Sequence, residues 1–128
     1  PPEAFREVVC FADLRFGSFA LLEEGALAGY ALLGPFKGRC AYRFSSEVSV
    51  YLRPEATGKG LGSAALDFLE ARARERGFHA LIAGVTAENE ASLRLFRKKG
   101  YEPVAHFREV GFKFGRWLDV EYLEKLLG

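Results

Sequence analysis

The sequence predicts an α/β fold, a mixed and mostly antiparallel sheet flanked by helices. Three stretches carry that expectation: an apolar pair of runs across a glycine turn, a strand, helix, strand crossover in the middle, and two strand-like runs at the end. The 128 residues suffice for one domain with its own core, and a 49% hydrophobic fraction with twelve Phe excludes a disordered chain. We therefore expect a single domain over residues 1–128.

In chain order, Pro2 to about Ala12 places Phe5, Val8, Val9 and Ala12 at the spacing of an amphipathic helix entered through proline. Ser18 to Leu22 and Leu27 to Leu33 flank Glu23-Glu24-Gly25-Ala26 and read as a hairpin. Gly34 to Ser46 is a loop with Lys37, Arg39 and Arg43 interleaved with Phe36, Tyr42 and Phe44. Glu47 to Leu52 alternates, with Val48, Val50 and Leu52 on one face and Glu47, Ser49 and Tyr51 on the other.

A glycine-rich turn follows, and a helix opens near Leu61. Its stripe of Leu61, Ala65, Phe68 and Leu69 faces inward, Glu70 and Arg74 form an i, i+4 pair, and Gly77 ends it. His79 to Val85 is a buried strand, parallel to the one before the helix because a crossover of that length returns the chain in the same direction. A second helix runs from about Asn89 to Lys99 with Leu93 and Phe96 inward, closed by Gly100. Tyr101 to about Arg108 and Trp117 to about Glu124 read as two strands joined by a stretch rich in turn residues.

Charge and composition exclude several classes. A formal net charge of +1 gives no global attraction to nucleic acid or to a membrane surface, and no apolar run approaches the roughly 20 residues of a membrane-spanning helix. Cys10 and Cys40 lack metal or redox spacing and are expected to be reduced, structural thiols of a cytoplasmic protein. His79 is read as a surface residue and His106 as a strand residue without a catalytic role. The chain contains no Met and begins Pro1-Pro2, so a longer protein is expected.

Chemistry concentrates between Glu47 and Leu66. Gly58, Gly60 and Gly62 let the backbone approach a ligand, and the helix start aims free N–H groups into the turn, an arrangement that attracts phosphate. The dinucleotide fingerprint fails because Ser63 stands where its third glycine belongs. The Walker pattern fails because Gly60 follows Lys59. The remaining T-G-K-G-L-G resembles the pyrophosphate loop of the GNAT (GCN5-related) N-acetyltransferases, with Thr57 in place of that family's Gln or Arg. More specifically, GPFKGRCAY, Glu47 before SVY, the G-L-G-S that opens the helix, E-N-E-A-S-L-R-L-F-x-x-x-G-Y and G-F-K-F-G-R-W-L-D-V look like the phosphinothricin N-acetyltransferases and their relatives acting on methionine sulfone or sulfoximine.

The resemblance implies a GNAT (acyl-CoA N-acyltransferase) fold without its first strand and helix in this chain. A sheet edge would then stand open to a partner such as a second copy. It implies acetyl-CoA as co-substrate, no metal, and a small amine-bearing acid as acceptor. Glu47 would be the general base; Val50, Tyr51 and Leu52 would line the acetyl and pantetheine arm; Gly58, Lys59, Gly60, Leu61, Gly62 and Ser63 would hold the pyrophosphate; Asn89 and Ser92 would meet the pantetheine. Lys37, Arg39, Tyr42 and Ser49 would line the acceptor pocket. Phe96 stands where the family carries Tyr or His, which leaves thiolate protonation unassigned. Two other readings fit the same letters: a non-catalytic acetyl-CoA-binding module and a protein N-terminal acetyltransferase.

Overall fold

The computed structural model describes residues 4–9, 15–37, 40–57 and 60–128, with backbone only for 4–9 and 40. Among the described residues seven strands form one sheet: β1 (Ala4–Val9), β2 (Gly17–Glu23), β3 (Ala26–Pro35), β4 (Ser45–Leu52), β5 (Ala80–Thr86), β6 (Glu102–Lys113) and β7 (Arg116–Leu126). Two α-helices, α1 (Leu61–Glu75) and α2 (Glu90–Lys98), are present among the described residues. The strand order is β1-β2-β3-β4-β5-β7-β6, and only β4 and β5 run parallel.

The first expectation that fails is the opening helix. Ala4–Val9 is strand β1, paired antiparallel with β2 through Phe5↔Leu21 and Arg6↔Ala20. An eleven-residue helical stripe is marginal without packing, whereas β-branched Val8 and Val9 suit a strand and the β2 edge supplies backbone partners. The β2–β3 hairpin is as expected: Glu24 and Gly25 both take positive φ, 51° and 78°, between the paired Glu23 and Ala26, a two-residue turn whose twist matches the strands. Cys10 lies outside the described residues, as does the side chain of Cys40, so the expectation of free thiols falls there.

β4, α1 and β5 form the crossover that the periodicity predicts. Leu61, Ala65 and Leu69 of α1 are buried, Phe68 packs at the margin, and Arg74 meets Glu70 at 3.2 Å. Both helices pack on one face of the sheet, where Leu33, Val48, Leu66, Leu81, Leu93, Phe96 and Leu123 form a single core. Burying each such side chain contributes about 1.5–3 kcal/mol, so this layer dominates the stability. Ser46 is fully buried and donates its hydroxyl to the Gly34 carbonyl at 2.9 Å, locking the end of β3 to the start of β4. None of the helices among the described residues is long and apolar enough to cross a membrane.

The last two strands are longer than their sequence suggests. β6 continues through Gly111 to Lys113, and the turn is at Phe114-Gly115. The register shifts between Phe107↔Val120 and Gly111↔Leu118, so residues 108–110 bulge opposite Asp119. Asp119 holds that bulge: its carboxylate accepts from the Glu109 N–H at 2.9 Å and meets His106 Nε2 at 2.9 Å. The hydrogen bond from His106, and then that from Glu109, keeps its carboxyl below the ordinary range. His106 is thus a structural strand residue, and His79 is exposed.

Candidate active site

The parallel ladder between β4 and β5 is short. It comprises Ser45↔Ala80, Ser46↔Leu81 and Glu47↔Ile82, and there it stops. β4 stays paired with β3 as far as Leu52, and β5 stays paired with β7 as far as Thr86. The two halves of the sheet therefore part immediately after Glu47. Among the described residues no strand is in register with the β5-facing edge of β4 from Val48 onward, so a cleft opens between the parting strands.

Alternation along β4 decides which side chains line which surface. Val48 is buried under the helices, so Glu47 points to the opposite face, where it is half-buried. Burial raises its carboxyl above the ordinary carboxylate value of 4.5, since removing water disfavours the ionised form. Glu47 opens onto a cavity of about 580 Å³ lined by Phe36, Lys37, Ser45, Ile82, Val104, Ala105, Phe107, Val110, Tyr122 and Glu124. That size suits a small molecule, and its walls are mainly apolar with a few polar groups.

The sequence-predicted acceptor residues divide. Lys37 lines this cavity with Glu47. Its ammonium lies 5.6 Å from the Phe36 ring centre and 5.8 Å from that of Tyr42, so Tyr42 steers the cation from outside the cavity. Ser49 is half-buried on the Glu47 face, two residues further along β4 and beyond the cavity lining. Arg39 lies outside the described residues.

The expected cofactor residues surround the cleft. Val50 and Leu52 pack on the helical side, whereas Tyr51 is exposed on the other face with its ring 5.0 Å from Tyr30, so only its backbone adjoins the cleft. Gly58 and Lys59 lie outside the described residues. Gly60 caps α1 with φ 80°, a left-handed conformation that a side chain disfavours, and the space where its Cβ would stand is open. The first helical bond runs from the Ala64 N–H to the Gly60 carbonyl at 3.1 Å, which leaves the amides of Leu61, Gly62 and Ser63 without helical partners. Leu61 and Gly62 are buried; a Cβ on Gly62 would stand 2.8 Å from Leu95, so α1 begins tightly against α2.

Asn89 caps α2, its side-chain oxygen accepting from the Ser92 N–H at 3.2 Å. The amide NH₂ of Asn89 is not used by that bond. Phe96 is buried, edge-on to Tyr101 at 4.9 Å, and supplies no proton. The sequence reading missed the far wall of the cavity, Ile82, Val104, Ala105, Phe107, Val110, Tyr122 and Glu124. Tyr122 leans across Gly84, whose Cβ would stand 3.0 Å from its ring. Alternation along β7 groups Tyr122 with Glu124; only the register sets them beside Glu47.

A phosphate-bearing thioester fits these features: an open amide-lined helix start, a cleft between parting strands, and a carboxylate at its head. Comparison with known proteins agrees. Residues 2–101 match the acetyltransferase (GNAT) family. Over 102 residues the chain is 40% identical to an L-methionine sulfoximine/L-methionine sulfone acetyltransferase of Salmonella typhimurium, covering 80% of this chain and 60% of the relative. A solved phosphinothricin acetyltransferase from Sinorhizobium meliloti in complex with acetyl-CoA superposes with a TM-score of 0.84 at 41% identity, over 88% of this chain and 62% of that one. A ribosomal-protein-alanine N-acetyltransferase from Brucella melitensis gives a TM-score of 0.83 at 44% identity, over 87% and 68% of the two chains. The chain belongs to the acetyltransferase (GNAT) family.

Proposed function

We propose that this protein transfers an acetyl group from acetyl-CoA to the amine of a small amino-acid-like acceptor of the methionine sulfone or phosphinothricin type, with Glu47 as general base. The observation that carries this reading is the position of Glu47: half-buried, facing the cavity shared with Lys37, on the last row before β4 and β5 part. An acceptor arrives as an ammonium and attacks only as the free amine, so a carboxylate must take its proton, directly or through a water. The raised carboxyl of Glu47 is tuned toward that work.

The amides of Leu61, Gly62 and Ser63, with the Gly58–Gly60 turn, bind the pyrophosphate, and the Val50–Leu52 segment guides the pantetheine arm along the cleft. Unpartnered β4 amides orient the thioester carbonyl and stabilise negative charge developing on its oxygen. Lys37 and Arg39 receive the acceptor's acidic group. The new bond joins the acceptor nitrogen to the acetyl carbon, the carbon–sulfur bond breaks, and CoA leaves, with no covalent enzyme intermediate.

The walled cavity supports a compact acceptor over the extended peptide that a protein N-terminal acetyltransferase would require. The decisive experiment replaces Glu47 by Gln, which keeps the shape and loses the proton-accepting function. With methionine sulfone as acceptor, kcat should fall by roughly 10² to 10⁴ while acetyl-CoA affinity stays unchanged. Turnover equal to the parent at neutral pH would refute the mechanism. Tight acetyl-CoA binding without acetylation of any amino acid would favour the non-catalytic module.

A further inference from the structure

We infer that Glu124 sets the charge preference within this acceptor class, making the site favour acceptors with a neutral side chain over those whose side chain carries an anion. This rests on the acceptor reading above. Glu47 pairs with Ile82, Ile82 pairs with Glu124, and Glu124 pairs with Glu102, so the four residues form one row across β4, β5, β7 and β6. Residues in register project to the same face, and Glu47 and Glu124 both line the cavity. Two strand spacings separate them, about 10 Å between backbones, which leaves room for a small amino acid with its α-amine near one carboxylate and its side-chain tip near the other.

The cavity is therefore electrically polar. Lys37 stands at the end supplied by the β3–β4 loop, and Glu124 stands at the β6–β7 end. Among the described residues Glu124 has no salt-bridge partner, and the residue in register beyond it is a second carboxylate, Glu102. Neither of its neighbours in the row, Ile82 and Glu102, neutralises Glu124, and like charges directly opposite each other repel. The neighbouring Lys125 does not serve Glu124, because it points to the other face and pairs with Glu70.

An acceptor with its carboxylate toward Lys37 and its amine at Glu47 extends its side chain toward Glu124. A neutral sulfone or sulfoximine accepts that neighbour, and a hydrogen-bond donor gains from it. A phosphinate or carboxylate meets like charge in a partly desolvated pocket, which is discrimination by repulsion.

The test compares methionine sulfone with phosphinothricin as acceptors, using the full-length protein and its Glu124→Gln and Glu124→Lys variants. The parent should favour the sulfone in kcat/KM by about tenfold or more. Glu124→Gln should raise kcat/KM for phosphinothricin by about tenfold and leave the sulfone within roughly threefold, and Glu124→Lys should invert the preference. Acetyl-CoA affinity serves as the folding control. A parent that prefers phosphinothricin, or variants that change both acceptors by the same factor, would overturn the inference alone. Acetylation of neither acceptor by the parent would overturn the acceptor reading, and the inference with it.

Discussion

At Gly29 the β4 backbone leaves no room for a side chain on β3, and adding one methyl group there tests how the cleft is held. A Cβ on Gly29 would stand 2.0 Å from the Tyr51 carbonyl oxygen and 2.9 Å from the Leu52 Cα. A carbon and a carbonyl oxygen need about 3.3 Å, so the end of β4 must recede by about 1.3 Å. Because the obstacle is backbone, no rotamer change relieves it. The cost falls at the upper end of the overpacking range, about 3 kcal/mol, and for a domain of this size lowers Tm by about 10 °C. The same shift moves Leu52 and strains the bond from the Arg53 N–H to the Ala28 carbonyl at 2.8 Å, so acetyl-CoA affinity should weaken as well. Gly34→Ala is the matched control on the same strand, since its Cβ would meet Leu32 at 3.6 Å and the Glu47 carbonyl at 3.7 Å, ordinary contacts. Thermal melts and calorimetric acetyl-CoA binding on both variants decide the matter. Gly29→Ala melting within about 2 °C of Gly34→Ala would refute the close-approach argument.

The Glu47 carboxyl is raised on folding, so the folded state holds its proton to higher pH than the unfolded chain does; that contribution to stability is present at acid pH and is lost as pH rises through the raised value. Glu47→Gln should therefore melt higher than the parent at pH 7, with the difference vanishing near pH 3, as thermal melts across that range will show. The parent's kcat/KM should carry an acidic limb above the ordinary value of 4.5, and Glu47→Gln should lack it. Asn89→Ala removes the cap bond to Ser92 and should cost about 1 kcal/mol. Asn89→Asp keeps the cap, so a raised KM for acetyl-CoA at unchanged Tm would isolate the contact of the amide with the pantetheine arm. Asp119→Ala frees the bulge that aims Phe107 and Val110 at the cavity, and steady-state kinetics should show KM rising several-fold for the acceptor and little for acetyl-CoA.

Much of this protein was written in short-range patterns. The strands of the β2–β3 hairpin, the three elements of the β4–α1–β5 crossover and α2 each announce themselves within about fifteen residues, because alternation, helical stripes, caps and glycine turns are local consequences of backbone geometry. Glu47 and the helix-start amides were legible for the same reason: a strand running into a glycine turn places both without any distant partner. β1 was not legible, since Phe5, Val8 and Val9 satisfy a helical stripe as well as a strand, and the unpaired edge of β2 decided between them. The length of β6 also escaped the sequence, because Gly111 reads as a turn until Asp119, on another strand, accepts the Glu109 N–H and turns an interruption into a bulge.

The acceptor cavity belongs wholly to the tertiary structure. Glu47 and Glu124 are far apart in the chain, and nothing in either neighbourhood names the other; strand order and register alone set them on one row with Ile82 between. Register is fixed by which faces the core must bury, with Val48, Leu81 and Leu123 all turned under the helices, and the residues left on the opposite face follow from that one choice. The sequence determined which groups bear the chemistry, and hydrophobic burial across the whole sheet decided which of them meet.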